Sequence, residues 1–172
     1  MSIRHGIAFG AVSQHSVINT RLSKWLQACS VWGFDIDPPF EETTLSGLPP
    51  GVVLFRATRS AVVDGEETIV TLDISEVWLE GIDPEADRRL DAEGCHLGAL
   101  QWHAQVAAGG DTGAERLEVV LDDDDAHPRV HRHPYGEAND VRLAANLPEP
   151  IGWLSALNSQ LDGALDDGLQ FW

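Results

Sequence analysis

Between Val70 and Ser75 the chain alternates residue by residue, with Val70, Leu72 and Ile74 set against Thr71, Asp73 and Ser75. Side chains of an extended strand point to opposite faces with a period of two, so this stretch predicts a strand with one buried and one wet face. An apolar, β-branched run from Gly51 precedes it, and Asp64-Gly65 between the two runs is a hairpin turn signal. The alternation returns in Leu100, Trp102, Ala104 and Val106 against Gln101, His103 and Gln105. A glycine-rich GGDTG turn follows, and then a return strand with Leu117, Val119 and Leu121 on one face. Two hairpins are therefore expected.

Elsewhere the period is helical. Ile18, Leu22, Trp25, Leu26, Cys29 and Trp32 recur at steps of three and four, with Asn19, Arg21, Ser23, Lys24 and Gln27 between them. This predicts an amphipathic helix over 16–32, with Ser16 as N-cap, Gly33 as the stop and the tryptophans as core packing. Ile151, Leu154, Leu157 and Leu161 follow Pro150 at the same spacing and predict a C-terminal helix that covers the sheet. Asp83-Pro84 opens a short helix expected to end at Gly94. Residues 7–12 fit a short strand or an ordered arm. Residues 34–51, with two proline pairs, read as a long surface connection anchored by Phe40 and Leu45. The fold class is α+β: an antiparallel sheet of two hairpins, about four to six strands in all, packed by an N-terminal and a C-terminal helix. With 172 residues and 43% apolar content, the expectation is a single domain over 1–172.

Charge narrows the function. The formal net charge of -17 repels nucleic-acid phosphates and anionic membranes, so a general nucleic-acid binder is disfavoured. Lys24 is the only lysine, and aspartate and arginine carry most of the charge. That usage fits a high-GC genome or a salt-adapted host, and an acidic nucleic-acid mimic is the alternative. Cys29 and Cys95 are too few for a disulfide framework or a cysteine-based zinc site and read as buried thiols. The N-terminal apolar run is too short for a secretory signal, and no stretch approaches the roughly 18 apolar residues of a membrane span. A soluble, cytoplasmic protein without a membrane partner is expected. The tail carries Leu165, Leu169, Phe171 and Trp172, too many apolar groups for a free end. It is expected to pack back on the domain or to meet a protein partner or a second copy through Phe171 and Trp172.

The candidate chemistry is concentrated in Leu121 to Glu137, LDDDDAHPRVHRHPYGE. If Arg129 to His133 is extended, His131 and His133 point to the same side, roughly 6.5 Å apart along the strand. His127 can swing in across the bend at Pro128, and Glu137 can return from the PYGE turn. Three imidazoles and a carboxylate suit a divalent transition metal such as zinc, iron, nickel or manganese, with Asp122 and Asp124 as oxygen ligands or as partners for an imidazole N–H. Without a metal, a histidine paired to an aspartate offers acid-base chemistry, with Arg129 or Arg132 holding an anionic substrate. The plain alternative is a polar sheet edge whose charges discourage aggregation. No P-loop, dinucleotide fingerprint or GxSxG elbow is present. His131, His133 and Glu137 match the first part of the cupin pattern, but no histidine follows His133 to complete the second part.

A strand with Trp102, a glycine turn, a strand ending in an acidic run with DAHP (Asp125 to Pro128), the HxH of His131 and His133, and a helix with Trp153 and Leu154 succeed one another over about residues 97–161. This order resembles the small TumE-type toxins of bacterial toxin-antitoxin modules. The resemblance implies a small prokaryotic α+β protein paired with an antitoxin partner. Two functions are carried forward: a protein acting through protein-protein contacts, in a toxin-antitoxin or defence setting, and a metal-dependent hydrolase or nuclease-like enzyme built on His127, His131 and His133.

Overall fold

The computed structural model describes residues 6–8, 12–36, 51–63, 65–81, 91–92, 94–107, 113–120, 128–138 and 140–161. In chain order the elements are β1 (Gly6–Ala8), α1 (Val12–Trp32), β2 (Asp35–Ile36), β3 (Val52–Val63), β4 (Glu66–Glu80), β5 (Asp91–Ala92), β6 (Cys95–Val106), β7 (Ala114–Val119), β8 (Val130–His133), β9 (Leu143–Ala144) and α2 (Pro150–Leu161). The α+β class is as expected, but the sheet is not two hairpins. Both predicted hairpins, β3-β4 and β6-β7, are present, and β4 pairs antiparallel with β6 to fuse them. The continuous path runs β1-β3-β4-β6-β7-β8-β9, seven strands, with β2 added on β3 and β5 on β6. Very short edge strands are hard to recognise from the pattern because two or three residues carry no period.

Helix α1 begins at Val12, a turn earlier than expected, and ends in a Schellman arrangement. Gly33 takes φ 73°, and the Phe34 N–H donates to the Cys29 carbonyl at 2.9 Å, closing the helix as its glycine signalled. The buried stripe is Gln14, Val17, Ile18, Arg21, Trp25, Ala28 and Cys29, while Leu26, expected inside, is 44% exposed. In α2 the buried residues are Pro150, Trp153, Leu154, Leu157, Asn158 and Leu161, and Ile151 is exposed. Asp91 and Ala92, expected in a helix, pair with His96 and Cys95 around Gly94. The preceding Asp83-Pro84 lies outside the described residues, as do Phe40 and Leu45. No helix among the described residues is long and apolar enough to cross a membrane.

Both helices pack on one face of the sheet. Trp25 of α1, Trp102 of β6 and Trp153 of α2 meet edge to face, with ring centroids 4.8 Å (Trp25 to Trp102) and 5.5 Å (Trp102 to Trp153) apart. Glu76 of β4 sits fully buried among them. Arg21 donates to both its oxygens, Nη2 to Oε1 at 2.7 Å and Nε to Oε2 at 2.9 Å. The indole N–H groups of Trp25, Trp78 and Trp102 donate at 2.8, 3.1 and 3.2 Å. Burial opposes the charge on Glu76, but Arg21 and the indoles more than offset it and hold the carboxyl below its usual range. Next to this hub Gly51, with φ 85°, accepts from the Trp78 N–H at 2.8 Å, and a Cβ there would collide with the Trp78 carbonyl.

Candidate functional site

Period-two alternation sends the opposite set of side chains to the face that bears no helix among the described residues. Register turns that set into rows running across the strands. Arg56, Asp73, His103, Arg116 and His133 are successive partners on β3, β4, β6, β7 and β8. Ser75, Gln101, Glu118 and His131 form the adjacent row. The two histidines of β8 thus stand opposite Arg116 and Glu118 of β7, where facing Cβ atoms are about 5 Å apart.

Glu118 is the centre of the group. His131 Nε2 lies 3.1 Å and His133 Nε2 3.4 Å from Glu118 Oε2. All three ligand atoms lie within 4.8 Å of one another. Ligands of a tetrahedral zinc site, with bonds of about 2.0–2.1 Å, stand about 3.3 Å apart, so both carboxylate-imidazole spacings match the edge of such a site. The His131 ring is fully buried, and its Nδ1 is 2.7 Å from the Pro128 carbonyl. A carbonyl only accepts, so Nδ1 carries the hydrogen, and Nε2 faces the carboxylate either as a donor or as a lone pair with a cation between them. A backbone carbonyl that fixes the imidazole tautomer is the usual outer support of a metal-binding histidine.

Arg116 reaches the same group. Its Nη2 is 3.1 Å from His133 Nε2, and its Nε is 3.1 Å from Glu118 Oε1. A guanidinium cannot accept, so His133 Nε2 presents its lone pair to Arg116. The longer 3.4 Å approach of that nitrogen to Glu118 is then an electrostatic contact, because one Nε2 cannot serve as donor to one and acceptor to the other. Burial would raise the Glu118 carboxyl, but Arg116, the Gln101 amide at 3.0 Å and the two histidines together hold it below its usual range. His103, next along the row, is held below the usual imidazole range chiefly by burial and also by Arg116, against the pull of Asp73 and Glu118. The Glu118 and Arg116 side chains are 20% and 24% exposed, so solvent reaches the group from β7.

Two of the expected ligands, His131 and His133, are brought together. Glu137 is not with them: it is exposed in the turn after β8, where its N–H donates to the Pro134 carbonyl at 3.2 Å. The carboxylate is Glu118, which sequence reasoning missed. Arg132 also departs from expectation, because alternation puts it on the helix-bearing face, 3.3 Å from Glu115 and almost fully buried. It cannot hold a substrate on the histidine face. Arg129 is half-buried just before β8, and its carbonyl accepts from the Val120 N–H at 2.9 Å. His127, Asp122, Asp124, Phe171 and Trp172 lie outside the described residues. Cys29 and Cys95 are buried free thiols, and burial pushes the Cys29 thiol up to about 12, which makes it inert.

Glu115 is a second missed carboxylate, on the far side of β7 beside Arg132. Its Oε2 accepts the Tyr135 N–H at 2.6 Å, yet burial outweighs that bond and Arg132 and pushes the carboxyl up to about 7. No family model, curated protein or solved structure matches the chain, so the reading of this site rests on its own geometry.

Proposed function

We propose that the protein binds a divalent transition metal through Glu118 Oε2, His131 Nε2 and His133 Nε2 and acts as a metal-dependent hydrolase. The observation that carries this reading is the closeness of these three ligand atoms, all within 4.8 Å of one another, with two spacings that fit one ion. Two imidazoles and a carboxylate suit zinc, iron, nickel or manganese. The described residues supply three ligands, the number that a catalytic zinc site takes from the protein with water in the fourth position. An ion held by these three residues would supply Lewis-acid activation of water for hydrolysis.

Elemental analysis of the purified, untagged protein tests this, with His131→Ala and Glu118→Ala beside it. The expected result is one transition metal per chain, lost in both variants. Titrated metal at a hundredfold excess over its dissociation constant should stabilise the wild type by about 2.7 kcal/mol and neither variant. Metal uptake that survives both substitutions would overturn the assignment.

A second reading rests on the remainder of the helix-free face. Arg56, Ser60, Gln101 and Gln105 are exposed there, with Val62 and Ile69 as apolar neighbours at 56% and 45% exposure. Such a mixed surface suits a protein partner, in the toxin-antitoxin or defence setting that the resemblance implies. Light scattering of the wild type beside Val62→Asp and Ile69→Asp tests it for self-association. An unchanged mass in both would remove a second copy as the partner.

A further inference from the structure

We infer that the centre takes a small oxyanion, of the phosphate monoester or carboxylate kind, with one oxygen on the metal and another on the Arg116 guanidinium. The inference rests on the metal reading above and adds the class of substrate to it. Charge is the first argument. A divalent ion with one carboxylate and two neutral imidazoles leaves a net charge of +1, and Arg116 brings a second positive charge within hydrogen-bond distance of two of the ligands. In the rows around it, Asp73 is taken up by Arg56, with Nε to Oδ1 at 2.7 Å and Nη2 to Oδ2 at 3.2 Å. Glu115 faces the other side of the sheet. Among the described residues, the metal-loaded centre would therefore carry an excess of positive charge that an added anion would offset.

Geometry is the second argument. Arg116 Nη2 rests on His133 Nε2, whose lone pair a metal requires. An ion that takes that lone pair would displace the Nη2 contact to His133 and leave this donor beside the metal, while Nε keeps its 3.1 Å approach to Glu118 Oε1. An oxygen of an anion already bound to the metal is the nearest acceptor such a site can recruit. The planar guanidinium is suited to meeting a second oxygen of the same group. The partial exposure of Arg116 and Glu118 leaves the approach on this side. The overall charge of -17 sets the size limit, since it repels polyanions such as nucleic acids far more than a small anion of one or two charges.

The experiment uses the full chain loaded with cobalt(II), whose visible bands report coordination, titrated with inorganic phosphate and separately with acetate. Cobalt uptake is measured first. If the wild type takes up no cobalt or zinc, the metal reading fails and the oxyanion inference falls with it. If it does, phosphate or acetate should shift the bands of the wild type, and the stronger of the two names the substrate class. Arg116→Gln should bind cobalt as tightly as the wild type or more tightly, because a competing cation is gone, and should bind the anion at least tenfold more weakly. Arg116→Lys, which keeps the charge without the fork, should fall between them. Anion binding undiminished in Arg116→Gln, or bands that neither anion moves, would overturn the inference while leaving the metal site intact.

Discussion

Two carboxylates on the same sheet, Glu76 and Glu118, show how one residue type becomes scaffold on one face and reactive group on the other. Glu76 faces the helices and accepts five hydrogen bonds from Arg21 and three indoles, so its charge is fully committed. Glu118 faces away from the helices, is one-fifth exposed, and shares its oxygens among Arg116, Gln101 and two imidazoles at longer spacings. Both are held below the usual carboxylate range, by different means. Glu76 has saturating, directional donors in a dry core, whereas Glu118 has one guanidinium, one amide and two imidazoles around it, contacts that a bound metal would rearrange. A depressed carboxylate is thus not by itself a sign of function. What separates the two is whether the partners can be exchanged.

Removing one member of the buried pair should have the largest effect on stability. Arg21→Leu leaves the Glu76 charge without its cation and should cost about 3–5 kcal/mol in urea unfolding, whereas Arg21→Leu with Glu76→Leu should recover much of that loss. Metal affinity should not change in any variant that folds; a parallel loss would mean that the two carboxylates act as one unit.

Glu115 sharpens the contrast, being buried like Glu76 but with one cation and one N–H in place of five donors. Its folded-state value of about 7 lies above the ordinary 4.5, so between those pH values the folded protein holds a proton that the unfolded chain has released. Stability from this group is complete below pH 4.5 and falls as pH rises to about 7, by roughly 3 kcal/mol. Unfolding curves collected from pH 4.5 to 8 should show that decline in the wild type and a flatter profile in Glu115→Gln.

Glu118→Gln should move stability by no more than about 1 kcal/mol, as expected of a partly exposed ionic group, while reducing metal uptake sharply. The smallest effect belongs to Asp73→Ala. It breaks the solvent-facing pair with Arg56, in which the side chains are 44% and 26% exposed, and should cost about 0.2–1 kcal/mol, less in high salt. A larger loss would show that the whole row from Arg56 to His133 behaves as one network.

Much of the fold was legible because period is local. The alternation of Val70, Leu72 and Ile74 placed their side chains correctly, and two further steps along it would have put Glu76 and Trp78 inside as well. Stepping back from Leu117 would likewise have put Glu115 in the core. Both were passed over because a carboxylate interrupts an apolar pattern. Arg21 is the helical counterpart: it sits on the stripe at 14, 17, 18, 21, 25 and 28, where its charge hid it. Leu26 and Ile151 erred in the opposite sense, as apolar residues turned to solvent.

By itself the sequence determined the α+β class, both hairpins, the end of α1 at Gly33, and the shared side of His131 and His133, because each depends on spacing within a few residues. Tertiary structure alone decided which carboxylate meets those histidines. Glu118 lies 13 residues before His131, and the β7-β8 register sets them face to face. That register also brought Arg116 against His133 and sent Arg132 to the opposite face with Glu115. Pairing between strands depends on which faces must be buried together and on how the intervening chain returns, and a slip of one residue would invert every side chain of β8.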